Sequence, residues 1–222
     1  PRVDDLAARY RPRKTTYAGV TFTDIGGLDE GIGTKGIQGQ LRNELAKVDG
    51  FAHVVRAFES DEVAAPPGGV DPVRDHGTLE TELVLLDLLT VEHRLERLRA
   101  DRARTRGHDR RVNEAEVELL ERFHSELESE RPLRAVVDEL APGERKMIRG
   151  HGFLSLRPIL VIHNVSDDAP WAHAPLDPLG PHAAAMTLHG RLEAEIARLA
   201  PDERASFLAE YGIAEPGGAR VI

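Results

Sequence analysis

The sequence contains no cysteine, so it has no disulfide, no thiolate metal ligand and no cysteine nucleophile. This composition suits a reducing compartment. No apolar run approaches the roughly 18 residues that a membrane-spanning helix needs, so no membrane association is expected. With 222 residues, 41% of them hydrophobic and 30% charged, we predict a soluble globular chain that is large enough for one domain with an insertion.

Three motifs of catalysis and nucleotide binding are also missing. The sequence contains no G-x-x-x-x-G-K-[ST] phosphate loop, no H-E-x-x-H metal motif and no G-x-S-x-G nucleophile motif. A metal site built by protein ligands alone is therefore not expected. The net charge of -9 argues against a chain that is basic throughout, but it allows a local basic patch.

The chain is organised around the glycine-rich stretch from Ala18 to Gly39. Its first residues alternate apolar side chains with threonines, which predicts a strand over about Ala18–Ile25 that delivers Asp24 into the loop. An acid at the carboxyl edge of a parallel sheet lies where open α/β folds bind their ligands. The alternative interpretation is an ordinary turn, for which Asp-x-Gly-Gly is equally typical.

A second interpretation of the same loop is a dinucleotide-binding fingerprint, because Gly31, Gly33 and Gly36 match G-x-G-x-x-G. The first of these glycines lies several residues beyond the predicted strand instead of in a tight strand-to-helix turn. A dinucleotide-dependent oxidoreductase is therefore the least favoured of the functions considered.

The rest of the chain alternates strands and helices. Strands are predicted over Phe51–Phe58, Arg157–Val165 and Ala183–Leu188, and the first helices over Pro1–Tyr10 and about Gln38–Val48. Strands that alternate with helices indicate an α/β fold with a mostly parallel sheet.

A long helical insertion interrupts this pattern. It is predicted as an antiparallel helical hairpin that turns near Gly107, because its apolar residues follow a short coiled-coil-like repeat. The repeat consists of Val84, Leu88, Val91, Leu95, Leu98, Val117, Leu120, Phe123 and Leu127. The predicted α/β domain therefore comprises residues 1–76 and 133–222, with the hairpin arm at 77–132 between them.

Residues at the predicted strand ends follow the order in which P-loop nucleotide hydrolases present theirs. Asp24 would hold Mg²⁺ through water, and the backbone amide of Gly27 would meet a γ-phosphate. Leu28 stands where many such enzymes have a glutamine that orients water, a role that leucine cannot fill. The nearest candidate is His53 on the next predicted strand, for which a buried core histidine is the alternative interpretation.

Two further strand ends would hold the base of the nucleotide. Asn164, Val165 and Asp167 form N-x-x-D, whose terminal carboxylate accepts two N–H bonds from guanine and does not match the edge of adenine. His189 and Gly190 follow the last predicted strand, where a loop of small residues supports the base through backbone amides. Each residue alone is equally consistent with a polar loop, so the prediction depends on their order along the chain.

Arginines cluster where the hairpin turns, which makes its tip basic in an acidic protein. Such a patch can hold the phosphate backbone of RNA. No aromatic residue lies between these arginines, so stacking on bases is not indicated. The alternative is a solvated helix face. The predicted contact residues are Arg102, Arg104, Arg106, Arg110 and Arg111.

In combination, these segments resemble the Obg-like ATPase (YchF) family of P-loop nucleotide hydrolases. The hairpin falls where that family inserts its helical arm. The matching segments, which keep the family's order along the whole chain, are Pro1–Ala7, Asp24–Leu28, His53–Glu59, Glu82–Leu88, Phe153–Pro158, Asn164–Asp167, Leu192–Ile196, Glu215–Gly217 and Arg220–Ile222. The resemblance implies a P-loop-type α/β fold whose sheet is incomplete at the N-terminus, because the phosphate loop is missing.

The resemblance implies a cytoplasmic nucleotide hydrolase that associates with the ribosome, uses Mg²⁺ and prefers ATP to GTP. It implies a catalytic role for His53 and a hydrophobic residue, Leu28, in place of the catalytic glutamine. The family's phosphate loop and its small C-terminal β-rich domain are both absent from this sequence. We therefore expect the 222 residues to be part of a longer hydrolase and to be inactive on their own.

The sequence departs from the family at the base. Where the family's base-reading motif ends in glutamate, this chain has Asp167, which shifts the expected preference toward guanine and leaves ATP against GTP open. The loop His189–Arg191 is unusual for the family, and Gln38 and Gln40 replace glycines in a glycine-rich switch that is one residue shorter. The alternative function is a non-catalytic module, derived from such a hydrolase, that binds RNA or the ribosome through its basic arm.

Overall fold

The structure is a computed structural model, and it describes residues 2–25, 37, 39–66, 68–102, 104, 106–168, 179–210, 213 and 216–221. The predicted site residues Gly27 and Leu28, together with the three glycines of the G-x-G-x-x-G match, lie outside these ranges. Within them, no helix is long and apolar enough to cross a membrane.

Three strands form one sheet in the described part of the chain. They are β1 (Phe51–Ala57), β2 (Ile159–Val165) and β3 (Ala183–Leu188), paired in the order β1–β2–β3. The helices are α1 (Arg2–Tyr10), α2 (Gly39–Leu45), α3 (Pro72–Asp101), α4 (Gly107–Glu128), α5 (Pro142–Ile148), α6 (Gly190–Arg198), α7 (Pro201–Glu210) and α8 (Gly217–Val221). Two 3₁₀ turns, Leu133–Ala135 and Val137–Glu139, lie between α4 and α5.

Both strand pairs are parallel. Phe51 lies opposite Ile159, and Ile159 lies opposite Ala183, so the strands start level with one another. The central strand β2 is rich in branched apolar residues and is mostly buried, as a strand covered on both faces should be. The three carboxyl ends therefore meet at one edge of the sheet, and the predicted α/β class with a parallel sheet and a helical hairpin is confirmed.

The strand predicted over Ala18–Ile25 is wrong. This segment has no regular secondary structure, and Val20 and Phe22 are 55% and 59% exposed. A strand needs a neighbour for its backbone N–H and C=O groups, and in the described part of the chain the sheet consists of β1, β2 and β3 alone. Alternation in the sequence reports only which side chains share a face, and it cannot supply the missing neighbour.

The hairpin begins with the longest helix. The side chain of Asp71 caps α3 by accepting a hydrogen bond from the backbone N–H of Arg74 at 2.9 Å, and Pro72 occupies the first turn. Gly107, with a φ of +61°, starts the returning helix α4. The predicted repeat faces inward: Val84, Val91, Leu95, Leu98, Leu120, Phe123 and Leu127 are buried, and Leu88 and Val117 pack against them.

Helix α3 contributes to two hydrophobic cores. Leu79 and Leu83, in its first half, pack with Val55, Ile159 and Val161 of the sheet. Its second half packs against α4 and the segment that leads to α5. One continuous helix thus connects the sheet with the tip of the hairpin.

A buried carboxylate in the middle of α3 fixes the helix to the rest of the fold. Asp87 is 1% exposed, and its two oxygens accept hydrogen bonds from the backbone N–H of Leu154 at 2.8 Å and from the backbone N–H and Oγ of Ser155, both at 2.7 Å. Ser155 Oγ in turn accepts from the N–H of Leu133, and the Ser155 carbonyl accepts from the N–H of Arg134. Asp87 therefore joins α3 to the turn before β2 and to the segment after α4.

The neighbouring ion pair strengthens the same connection. Arg134 is 2% exposed, and its Nη1 lies 2.5 Å from Glu80 Oε2 on α3. Its Nε donates a hydrogen bond to the carbonyl oxygen of Arg157 at 2.8 Å. A buried pair of this kind costs several kcal/mol to break from one side, because the partner charge is left uncompensated.

We predict that Asp87 makes stability fall as pH rises between about pH 4 and 6. Burial raises the pKa of Asp87 to about 6, so in this range the folded chain holds a proton that the unfolded chain has released. The free energy of unfolding should therefore drop by about 3 kcal/mol across the range, relative to Asp87→Asn, which cannot titrate. Urea unfolding at several pH values measures this difference.

The matched control is Glu96→Gln, which removes an exposed carboxylate from the same helix. It should keep the pH dependence of the unsubstituted chain. Parallel pH profiles for Asp87→Asn and the unsubstituted chain would contradict the prediction.

Candidate functional site

The carboxyl ends of β2 and β3 bring the predicted base-binding residues together. Asn164 lies near the end of β2, and its Oδ1 accepts a hydrogen bond from the backbone N–H of Gly190 at 3.0 Å. His189 follows β3 and is buried, with its Nδ1 2.9 Å from the carbonyl oxygen of Ser166. Because a carbonyl only accepts, Nδ1 carries the proton. These contacts join the loop after β3 to the end of β2, where Val165 is the last strand residue.

Gly190 has a steric reason to be glycine. A Cβ at this position would lie 2.6 Å from Asn164 Oδ1, closer than a carbon and an oxygen can approach. The backbone N–H of Gly190 can donate to Asn164 only because no side chain stands between them. The sequence signal was the His-Gly pair after a strand, although the contact with Asn164 could not be read from it.

Asp167 faces the start of α6. Its Oδ1 accepts a hydrogen bond from the backbone N–H of Leu192 at 3.3 Å, and its Oδ2 lies 3.5 Å from Nε of the exposed Arg191. A carboxylate is favoured at a helix N-terminus, where backbone N–H groups lack partners within the helix. The residue predicted to read the base is thus also a helix cap, and Oδ2 is the more readily exchanged of its two oxygens.

His53 lies on β1, on the sheet face that α3 covers. It is half-buried, and its Nδ1 lies 3.4 Å from Nδ1 of His76 on α3, with ring centroids 5.6 Å apart. His163 on β2 is 2% exposed and lies in register with Val55, so it shares the face of His53. The structure therefore groups three imidazoles where the sequence predicted one.

Sequence reasoning missed His76 and His163 for an understandable reason. His76 precedes the buried Leu79 and Leu83 at helical spacing, and His163 alternates with the buried Val161 on a strand. Each therefore lies on the buried face of its element, and that spacing was the available signal. Nothing in the spacing shows that both elements bring their histidines to His53.

The environment keeps these imidazoles neutral. Burial lowers the pKa of His53 to about 4, with His76 and His163 adding to the effect and Asp75 opposing it. Burial also lowers the pKa of His76 and of His163. At pH 7 the cluster therefore carries no net charge, and a neutral ring nitrogen with a lone pair can accept a proton or orient a water molecule.

Asp24 is the residue that is predicted to hold Mg²⁺. It is exposed and lies in the segment that has no regular secondary structure, where a strand was predicted. Among the described residues, no three histidine or carboxylate side chains are arranged to hold a metal ion. Mg²⁺ is usually bound through one or two carboxylates together with substrate phosphates and water. A single exposed aspartate fits that chemistry, whereas a metal held by the protein alone does not fit the described residues.

The arginines of the hairpin tip are exposed. Arg104 lies 3.9 Å from Asp101, and Arg110 lies 2.9 Å from Glu114. Exposed pairs of this kind contribute little to stability, about 0–1 kcal/mol, so both arginines can exchange partners. The remaining predicted contacts, Arg102, Arg106 and Arg111, are also exposed, so the tip presents its positive charge to solvent.

Comparison of sequences identifies relatives along the whole chain, although no family model matches it. It is 34% identical over 228 residues to the ribosome-binding ATPase YchF of Escherichia coli O157:H7, covering 100% of this chain and 61% of the relative. It is 32% identical to the ribosome-binding ATPase YchF of Bacillus subtilis, covering 97% of this chain and 60% of the relative. The chain thus spans about three-fifths of the length of these relatives.

The fold agrees with these matches. The structure of the Schizosaccharomyces pombe YchF GTPase superposes with a TM-score of 0.69 at 23% identity, covering 94% of this chain and 58% of that one. The resemblance found in the sequence motifs is confirmed. Because the bacterial matches extend along essentially the whole chain and the fold is shared, this chain is similar along essentially its whole length to part of the YchF and Obg-like ATPase proteins.

Proposed function

We propose that the chain forms part of a cytoplasmic, ribosome-associated hydrolase that binds ATP or GTP with Mg²⁺ and cleaves the γ-phosphate. The observation that carries the proposal is the junction of N-x-x-D with the loop after β3, through the contact between Asn164 and Gly190. The relatives named ribosome-binding ATPase support it. Ligands of parallel α/β sheets bind at this edge.

In this proposal the residues divide the work between the two ends of the nucleotide. Mg²⁺, held by Asp24 through water, would neutralise charge on the phosphates. The amide of Gly27 would contact the γ-phosphate. Leu28 has no group that can orient water, so His53 would help to position the attacking water molecule. The neutral imidazole of His53 suits that role.

The base would be held by Asn164, Val165 and Asp167, with support from the backbone of His189 and Gly190. A base N–H that approaches Asp167 would compete with the exposed Arg191 for Oδ2, while Oδ1 keeps its bond to Leu192. An aspartate that accepts from two base N–H groups favours guanine. Asp167 therefore shifts the expected preference toward guanine, whereas the bacterial relatives carry the name ATPase, and the choice between ATP and GTP stays open.

A second candidate is a non-catalytic module that docks on RNA or the ribosome through the hairpin arm, residues 77–132, inserted between residues 1–76 and 133–222. The exposed arginines of the tip favour this candidate. Both candidates use the arm, so hydrolysis separates them and ribosome binding does not.

We predict that the 222-residue chain, which lacks G-x-x-x-x-G-K-[ST], releases no phosphate from ATP or GTP above background. A longer parent chain that carries this motif should hydrolyse one of them, and His53→Asn in that parent should lower kcat by at least about 10²-fold. Phosphate release under saturating nucleotide measures both. His93→Asn, at an exposed histidine of α3, is the control.

Two results would contradict these predictions. Turnover by the 222-residue chain would show that hydrolysis does not need the phosphate loop. A parent without turnover would leave the binding module as the better proposal.

We predict that Asp167→Asn in the parent weakens GTP binding by about 10- to 100-fold and ATP binding much less, because one charged acceptor is removed. Asparagine keeps an oxygen that can accept from Leu192, so α6 should stay folded. Competition of ATP and GTP against a fluorescent nucleotide measures the change, with the exposed Glu195→Gln on α6 as control. An equal reduction for both nucleotides would remove Asp167 from base selection.

We predict that reversing the charge at Arg102, Arg104 and Arg106 together weakens co-sedimentation with ribosomes. It should also flatten the dependence of binding on salt, by a slope of about 0.7–0.9 for each phosphate that the tip no longer neutralises. The matched control reverses three exposed arginines near the N-terminus, Arg9, Arg11 and Arg13. If both triple variants weaken ribosome binding equally, or if neither does, the prediction is wrong and the tip is a solvated helix face.

A further inference from the structure

The contact between His53 and His76 joins two elements that are far apart in sequence. His53 is in β1 and His76 is in the second turn of α3, and their Nδ1 atoms are 3.4 Å apart. Two ring nitrogens form a hydrogen bond only when one carries a proton and the other a lone pair. Among the described residues no third ligand completes a metal site with this pair, so a shared proton accounts for the contact.

His76 is the more firmly held of the two. It is 8% exposed, on the face of α3 that carries Leu79 and Leu83 into the sheet core. Glu80, one turn further along, is fixed by the buried Arg134. His53 lies on β1, which is at the edge of the sheet formed by the described residues, and it is only half-buried. The fixed ring therefore orients the less constrained one.

The charges around the pair allow one proton between the two Nδ1 atoms. His53 faces His76 and Asp75 of α3 and His163 of β2, and the net effect of burial and these groups lowers its pKa to about 4. His76 is also influenced by Glu80, which raises its pKa, and by Arg134, which lowers it. At pH 7 both rings are neutral, so the partner of Nδ1 decides whether Nε2 of His53 has a proton or a lone pair.

We propose that His76 is a positioning residue for His53: its Nδ1 accepts the proton of His53 Nδ1–H and holds His53 in the tautomer whose Nε2 has a lone pair. The inference rests on the proposed function, because a lone pair on Nε2 is what the positioning of water requires. It extends that function by assigning a role to a histidine outside all of the predicted motifs.

Ring-nitrogen NMR of the 222-residue chain at pH 7 tests the tautomer directly. His53 should show a protonated Nδ1 and an unprotonated Nε2. His76→Leu removes the acceptor, so His53 should lose this preference and its pKa should rise, because one of the groups that lower it is gone. His76→Asn offers an amide oxygen close to the place of Nδ1 and should restore the protonated Nδ1.

Two controls separate the hydrogen bond from general electrostatics. His163→Leu removes the other neighbouring imidazole and should raise the pKa of His53 without changing its tautomer. His124→Leu, on α4, should change neither. A His53 that carries its proton on Nε2 in the unsubstituted chain, or whose tautomer is the same in His76→Leu, would overturn the proposal.

The kinetic test uses the parent hydrolase. His76→Leu should lower kcat about tenfold with KM nearly unchanged, and it should move the acid limb of the pH profile to higher pH, since His53 must be neutral to act. His76→Asn should recover most of kcat. If the parent does not hydrolyse nucleotide, the proposed function fails, whereas the NMR result still decides whether His76 fixes His53. Hydrolysis that is unaffected by His76→Leu would overturn the positioning role.

Discussion

The fold depends on one buried carboxylate. Asp87 accepts three hydrogen bonds from Leu154 and Ser155, which form the turn that leads into β2. Through Ser155 the same contact reaches Leu133, at the end of the hairpin. Because this contact fixes α3 relative to the start of β2, it helps to place His76 opposite His53, three helical turns away.

Most of the architecture could be predicted because the spacing of apolar residues along the sequence indicates which segments form helices and strands. The helical spacing of the hairpin and the apolar run of β2 are local patterns, and the structure agrees with both. The segment 18–25 shows the limit of this reasoning, since its alternation is real but no neighbouring strand pairs with it in the described part of the chain. A strand forms only when a second segment pairs with its backbone, and the sequence of the first segment does not show whether that partner exists.

The candidate site could be predicted in part for a similar reason. Asn164 and Gly190 were found because their motifs stand at strand ends, and topology brings strand ends together. His76 was missed because a histidine on a buried helix face carries no pattern of its own. The hydrogen bond from the backbone N–H of Leu192 in α6 to Asp167 was missed, because the sequence does not show that one carboxylate can both contact a base and accept from a helix N-terminus. The proposed base-binding end is thus the better defined, whereas at the proposed phosphate end Asp24 is exposed and Gly27 lies outside the described residues.

The continuity of α3 has a mechanical consequence. With Asp87 as the fixed point, a rise of 1.5 Å per residue puts His76 about 16 Å along one arm of the helix and Asp101 about 21 Å along the other. Between Asp87 and His76 the helix is also held by the pair of Glu80 with Arg134 and by Leu79 and Leu83 in the sheet core, so a displacement of the arginine tip can reach His76 only by disturbing these contacts.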